Sequence, residues 1–249
     1  MKTACRLLLI VFALALTGCQ SDHSDAPLLG GPANDGIFTD TRDGHIYRWV
    51  RIGNQIWMHE NLSYLPSVSP SSSGSDMIPH YYVYGYEGSS VSEAQATENY
   101  KAYGVLYNHG AIRIDGCPPG WHLPSDTEWK TLEKNLGMSN SDTDASGLRL
   151  SGSVGGQLKE RDTYHWESPN SSATDSVVFA ARGGGLRFPG GEFGYLRRDA
   201  FFWSPSPYDV FPACNASESL YRSVTYLGAG VHRNCESREA GFSVRCIKD

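Results

Sequence analysis

Cys19 most constrains this chain, because it decides the compartment in which the chain folds. Lys2 and Arg6 give a basic start, and Leu7 to Leu16 is an unbroken apolar run. Leu16-Thr17-Gly18-Cys19 then matches the site at which bacterial lipoproteins are cleaved and acylated. A run of about 10 residues is too short to cross roughly 30 Å of hydrocarbon but suits a signal peptide. We therefore predict a lipoprotein signal peptide over residues 1–18 and lipidation at Cys19, against the alternative of an ordinary secretory signal.

The remaining cysteines fit an exported domain, in which disulfides persist. Cys5 leaves with the signal peptide, and four cysteines follow the lipidation site: Cys117, Cys214, Cys235 and Cys246. Four cysteines allow three pairings, which the residues alone leave open. Zinc sites usually place two ligands a few residues apart, and these cysteines have no such spacing. We predict two disulfides and no metal site.

The rest of the chain divides into a tether and one domain. Residues 19–34 are polar and small and indicate a flexible tether, in which Asp22 and Asp25 resemble a surface-export signal as much as a solvated linker. Residues 35–249 carry the folding signals. The net charge of −6 and the absence of a basic cluster disfavour nucleic-acid binding.

Short strands and one clear helix give an α+β class. Alternation over Ile46 to Ile52, Gly53-Asn54 and the run from Gln55 predict a type II′ hairpin. Ser125 with Glu128 three residues later predicts a capping box at a helix start. The helix would end at Gly137 and carry an apolar stripe of Trp129, Leu132 and Leu136. Further strand candidates are Val177–Ala181, Phe201–Trp203, Ser223–Leu227 and Phe242–Ile247.

Several motifs then occur in a fixed order. They are Asp43–Tyr47, Ile52–Met58, Glu60–Leu62, Tyr103–Asn108, Cys117–Pro124 with Glu128-Trp129, and Gly241–Cys246. This combination resembles the Fibrobacter succinogenes major paralogous domain over residues 35–249. The resemblance implies a C-type lectin-like fold related to the formylglycine-generating enzymes. Such a fold has a twisted antiparallel sheet, one or two helices and long irregular loops.

The resemblance also implies a disulfide pairing. C-type lectin-like domains nest their bridges, so Cys117 would pair with Cys246, and Cys214 with Cys235. The first bridge would tie the helix entrance to the last strand. The copper-binding cysteine pair of the formylglycine-generating enzymes has no match here, because Cys235 and Cys246 are better used structurally. We therefore expect no catalytic residues, no cofactor and no enzyme activity.

Two further patterns could contact a ligand. Trp166-Glu167-Ser168-Pro169-Asn170 resembles a calcium-binding lectin loop, but a serine interrupts the triplet, so a polar turn is favoured. Aromatic side chains with polar tips suit sugar stacking or core packing, and four tyrosines lie in one short stretch. They are Tyr81, Tyr82, Tyr84 and Tyr86.

These observations favour a lipid-anchored binding protein at the outer membrane, with surface exposure as the more specific expectation. Its partners would be the membrane, through the lipid, and a glycan or protein surface. The alternatives are a structural envelope or adhesin-assembly subunit and, less favoured, an oxidase. The residues leave the oligomeric state open.

Overall fold

Short strands dominate the structure, a computed structural model that describes residues 34–206 and 214–249. The strands are β1 (Asp35–Thr39), β2 (Ile46–Ile52), β3 (Gln55–Met58), β4 (Tyr81–Tyr82), β5 (Leu106–Tyr107), β6 (Trp121–His122), β7 (Gly147–Arg149), β8 (Gly184–Arg187), β9 (Phe193–Leu196), β10 (Asp199–Trp203), β11 (Glu218–Thr225), β12 (Val231–Ser237) and β13 (Ile247–Lys248). One sheet has the order β1-β2-β3-β13-β6, a second has the order β7-β12-β11-β10-β8-β9, and β4 pairs with β5. All neighbours are antiparallel except β8 and β10, which are parallel. The α+β class is confirmed.

The predicted hairpin has the expected turn. Strand β2 runs into β3 with Ile52 opposite Gln55. Gly53 has φ +60°, whereas Asn54 has no positive φ. Only the first turn residue of a type II′ turn needs that region, which glycine adopts at no steric cost.

The described residues also contain six α-helices. They are α1 (Val91–Ala96), α2 (Glu98–Tyr103), α3 (His109–Asp115), α4 (Asp126–Asn135), α5 (Asn140–Asp144) and α6 (Val154–Leu158). The fold was expected to have one or two helices, and α4 is the only one of the six that was located from the sequence. Side chains of Ser90, Thr97, Asn108 and Ser139 cap the N-termini of α1, α2, α3 and α5. Each of these caps accepts a hydrogen bond from an N–H that a helix start leaves unpaired, and this contact stabilises the very short helices.

Helix α4 has the start and the buried face that its sequence predicts. The hydroxyl of Ser125 accepts from the N–H of Glu128, whose carboxylate accepts from the N–H of Ser125. Trp129, Leu132 and Leu136 are all buried. The capping box and the apolar stripe are confirmed.

Buried ion pairs fix α4 against the second sheet. Asp126 accepts from Arg222 (2.8 Å) and from both Nε and Nη2 of Arg233 (2.8 and 2.7 Å). Two turns further along α4, Glu133 forms a bidentate ion pair with Arg149 at 2.6 Å. Glu133 also accepts a hydrogen bond from Arg222 at 2.7 Å. All five side chains are at least nine-tenths buried, so each charge depends on its partners for the solvation that water no longer supplies.

The C-terminal strand, β13, lies between β3 and β6 in the first sheet. Ile247 of β13 pairs with Trp57 on one side and His122 on the other. The two ring nitrogens of His122 reach Glu128 (2.7 Å) and Asp249 (2.6 Å). Burial alone would lower the pKa of His122, but hydrogen bonds to both carboxylates outweigh it and raise that pKa.

Two apolar clusters fill the interior. In one, the rings of Trp203 and Phe242 lie 4.3 Å apart, and in the other those of Trp57 and Trp129 lie 4.9 Å apart. Trp57, Trp121, Trp129 and Trp203 all belong to this core, since each is at most 8% exposed.

Two strand predictions are wrong in the same way. Val177–Ala181 is a loop with one bridge at Ala181, because Val178 and Ala180 take positive φ. Phe242–Ile247 is regular only at its end and otherwise makes single bridges, at Phe242 and Ser243. Phe179–Ala181 and the whole of Phe242–Ile247 are buried, and burial alone does not require ladder pairing.

Candidate functional site

A polar cleft of about 280 Å³ opens beside the first sheet. Its lining comes from the segments 59–63, 100–104 and 180–182, together with His45 and Arg245. Strand β3 ends just before the first segment, and α2 ends within the second. Its size lies near the lower end of the roughly 300–1,000 Å³ found for small-ligand sites.

Asn61 joins two of these segments, its own and 100–104, to the chain near Arg245. Its side-chain amide donates to the carbonyl of Tyr103 (3.0 Å) and to the hydroxyl of Ser243 (3.3 Å). Its side-chain oxygen accepts from Nη2 of Arg245 at 2.8 Å. Since Asn61 is itself buried, this network fixes the cleft floor.

Arg245 is the buried cation beneath the cleft. It is 1% exposed and donates to the carbonyls of Met58 (3.2 Å), His59 (2.6 Å), Phe179 and Ala180 (3.4 Å). Its guanidinium also lies 4.4 Å from the ring centre of Phe179. Burial lowers the pKa of Arg245 to about 9. A guanidinium with so many carbonyl partners keeps its proton at neutral pH.

His59 is fixed in one orientation at the cleft wall. Its Nδ1 lies 2.7 Å from the carbonyl of Val178, so Nδ1 carries the hydrogen in the neutral ring. Burial lowers the pKa of His59, and the positive charges of Arg245 and Arg48 lower it further. The hydrogen bond to the carbonyl of Val178 raises this pKa but does not offset the other contributions. His59 is therefore neutral at pH 7, and its Nε2 makes no hydrogen bond to any residue in the described part of the chain.

The loop behind His59 is strained. Asp175, Val178 and Ala180 have φ of 44°, 56° and 49°, a region that residues with side chains rarely adopt. A side-chain oxygen of Asp175 accepts from the N–H of Ala180 at 2.8 Å and closes the loop. Such conformations cost about 1–3 kcal/mol each and concentrate at functional sites. The strain therefore singles out this wall of the cleft.

Three ion pairs surround the cleft. One member of each pair, Glu60, Lys101 or Arg182, lines the cleft. The pairs are Arg48–Glu60 (2.9 Å), Lys101–Glu98 (2.8 Å) and Arg182–Glu160 (3.0 Å). All three pairs are partly exposed, so a ligand group can replace one partner of a pair at a small cost in free energy.

The four tyrosines do not form an exposed platform, which corrects the prediction of a ligand contact. Tyr81 and Tyr82 are 4% and 0% exposed, and their hydroxyls bond to Asp115 and to a backbone carbonyl. Tyr84 and Tyr86 are half-buried. The pair β4–β5 places the first two in the interior, and none of the four lines the cleft.

Only one of the two predicted disulfides is formed. Cys117 and Cys246 are bonded, with Cα atoms 6.0 Å apart, and this bridge ties the approach to α4 to the segment before β13. Cys214 and Cys235 are free thiols, which corrects the second pairing. Their sulfurs and a carboxylate oxygen of Glu218 nevertheless lie within 4.8 Å of one another. Strand β12 brings Cys235 beside the start of β11, a proximity that spacing in the sequence does not reveal.

The calcium-like segment is a turn, as favoured. Trp166 is fully buried, and its indole N–H donates to the carbonyl of Ala181 at 3.0 Å. The amide of Asn170 donates to the carbonyls of Glu160 (3.0 Å) and Asp162 (2.6 Å). These polar atoms are used within the fold.

Cys19, the signal peptide over 1–18 and most of the tether over 19–34 lie outside the described residues. Within the part of the chain that the structure describes, none of the helices is both long and apolar enough to cross a bilayer.

These features define an α+β domain with a polar cleft held by buried hydrogen bonds. The chain belongs to the family described as the Fibrobacter succinogenes major domain, which matches residues 50–248. No curated protein and no solved structure matches the chain.

The cleft residues were not singled out from the sequence. Asn61 and Arg245 did appear within motifs, Glu60–Leu62 and Gly241–Cys246, but as marks of the family. Their contact joins positions 184 residues apart, so no local spacing predicts it. The available signal was that the charged Arg245 stands between Val244 and Cys246 in a predicted buried strand.

Proposed function

We propose that this chain is a lipid-anchored protein of the bacterial cell envelope, whose domain binds a glycan in the polar cleft without transforming it. The observation that carries the proposal is a concave site that combines aromatic rings with fixed polar groups. Sugars present both apolar faces and hydroxyls, and sites of this composition bind them by stacking and hydrogen bonding.

The polar groups suited to a sugar are held by the protein and still open. The neutral Nε2 of His59 accepts a hydrogen bond from a hydroxyl, because Nδ1 is committed to the carbonyl of Val178. The hydroxyl of Tyr103 makes no hydrogen bond to the described residues, and its ring lies against His165. Tyr100 lines the same cleft with its hydroxyl donated to the carbonyl of Ser63 at 2.8 Å.

The same geometry favours binding over nucleophilic catalysis. Ser63 shares its hydroxyl hydrogen bond with Tyr47 at 2.8 Å and not with an imidazole. His59 directs Nδ1 to a backbone carbonyl instead of a carboxylate that would stabilise an imidazolium. The hydroxyl is thus engaged elsewhere, and no carboxylate in the described part of the chain is hydrogen-bonded to the imidazole of His59.

The test is a glycan array, followed by titration of each hit. Ala102→Trp places an indole in the cleft, and Ala96→Trp makes the same change at an exposed alanine of α1 outside it. We expect binding that Ala102→Trp abolishes and Ala96→Trp leaves unchanged. An array without hits, or hits insensitive to Ala102→Trp, would contradict the proposal. Stoichiometric co-purification with an envelope protein would then favour the structural-subunit alternative.

The anchor is proposed from the apolar run and Cys19. Cells labelled with an alkyne fatty acid should yield the labelled chain, and Cys19→Ala should remove the label. Proteolysis of intact cells distinguishes a surface position, where the domain is cleaved, from a periplasmic one, where it is protected.

A further inference from the structure

Arg245 is a buried cation without a counter-ion. Buried charges in proteins are normally paired with an opposite charge, since neutral acceptors replace only part of the lost hydration. Within the described residues, Arg245 forms no ion pair, and its donors reach carbonyls and the side-chain oxygen of Asn61. Glu60 and Asp175 attract it only from a longer distance.

The residues that line the cleft carry more positive than negative charge, although the chain as a whole carries −6. Lys101, Arg182 and Arg245 are the lining cations, and Glu60 is the one lining carboxylate in the described part of the chain. The carboxylates that balance these cations, Glu98, Glu160 and Asp175, lie outside the lining. A local excess of this sign in an acidic protein favours an anionic group at that position.

The rim also offers donors to such a group. Arg182 lines the cleft, is 27% exposed, and shares its guanidinium between Glu160 and the carbonyl of Ala102 (3.1 Å). Lys101 is 57% exposed and paired with a carboxylate that is 88% exposed. Because exposed pairs contribute little, both cations can turn toward a ligand.

Resting on the proposed glycan function, we propose that the cleft selects sugars that carry a carboxylate, such as uronic or sialic acid units. The carboxylate occupies the positive position above Arg245 and receives charge-assisted hydrogen bonds from Arg182 and Lys101. The sugar hydroxyls face His59 and Tyr103. The cleft volume accommodates one such unit of a longer chain.

The experiment compares matched glycans that differ in one carboxylate. The full chain is titrated with methyl glucuronide against methyl glucoside, and with sialyllactose against lactose, beside every array hit and its neutral counterpart. We expect the acidic member of at least one pair to bind tenfold or more tightly, a factor in line with one or two charge-assisted hydrogen bonds. Salt should weaken that binding and leave the neutral one unchanged.

Rim variants locate the effect. Arg182→Gln should weaken the acidic ligand about tenfold and the neutral ligand by less than twofold. Arg198→Gln is the control, because Arg198 is also an exposed, carboxylate-paired arginine but does not line the cleft. Equal weakening by both variants would overturn the assignment.

The outcomes separate the two proposals. Neutral glycans that bind the cleft as tightly as acidic ones would overturn the carboxylate preference and leave glycan binding standing. Failure of all acidic and neutral glycans to bind would overturn both. Acidic binding that survives Ala102→Trp places the anion site elsewhere and overturns the preference for this cleft.

Discussion

The buried ion pairs of α4 make a strong prediction about stability. In Asp126→Asn the side chain keeps its shape but loses its charge, and an amide replaces one oxygen that faces Arg222 or Arg233. Asp126 is 5% exposed and accepts three hydrogen bonds from these guanidiniums at 2.7 to 2.8 Å. The variant therefore removes the negative charge that faces two buried guanidiniums, of which Arg222 keeps its contact with Glu133.

The size of the effect follows from this burial. Removing one partner of a buried ion pair costs about 3–5 kcal/mol. For a domain of about 200 residues, 1 kcal/mol shifts the melting temperature by roughly 2–4 °C, so we expect a fall of about 6–20 °C. Glu98→Gln is the control, because Glu98 is 88% exposed in its pair with Lys101, and such pairs contribute about 0–1 kcal/mol.

The pH dependence gives the prediction a second readout. Burial alone would raise the pKa of Asp126, but the hydrogen bonds from Arg233 and Arg222 outweigh it and hold that pKa well below its usual range. The folded state thus favours the ionised form, and its contribution is complete above the unfolded pKa of about 3.9. Below that pH the contribution is progressively lost as the carboxylate protonates. The difference in stability between wild type and Asp126→Asn should be constant from about pH 7 to 5 and narrow below about 4.

Urea unfolding of the purified chain at each pH measures both readouts. A loss for Asp126→Asn no larger than for Glu98→Gln would refute the reasoning that these pairs carry buried charge. A difference that grows toward acid would refute the sign of the pKa shift.

Three further predictions follow from the same contacts. His122 has a raised pKa, so its contribution to stability should be present below about pH 6.5 and fade as pH rises through the folded pKa; His122→Gln should abolish this dependence in urea unfolding. Reducing the Cys117–Cys246 bridge should cost about 3–5 kcal/mol by loop-closure estimates, measured by unfolding with and without reductant, and an unchanged midpoint would contradict this. Mild oxidation should join Cys214 to Cys235, so the number of free thiols in the unfolded chain should fall by two relative to a Cys214→Ser, Cys235→Ser variant treated in the same way; an unchanged number would show that the two sulfurs do not approach closely enough.

Local signals in the sequence predicted the parts of the fold that local chemistry determines. The turn at Gly53 needs one residue with positive φ, and the start of α4 needs Ser125 and Glu128 three residues apart. Both requirements are met within a few residues. The short helices escaped prediction, because five to seven residues give too little periodicity. Four of these five helices, α1, α2, α3 and α5, also depend on a single capping side chain.

The cleft escaped prediction for a different reason. Its floor depends on Asn61 and Arg245, which contact each other across 184 residues of sequence. Its wall depends on the loop near Val178, which the sequence presents as a strand because the loop is apolar. Function at such a site is assembled by tertiary contacts, and no spacing within the sequence encodes it.

The family motifs and the cleft can now be related physically. Asn61 and Arg245 lie in two of the motifs and Tyr103 in a third, and their hydrogen bonds form the floor. Lys101 and Arg182, the cations proposed to contact a ligand, lie outside every motif. The motifs therefore fix the shape of the cleft and its buried positive charge, whereas the proposed ligand preference depends on rim residues that can change without disturbing the floor. Replacing Lys101, whose ion pair is exposed, should thus alter which glycan binds while the melting temperature stays within about 2 °C.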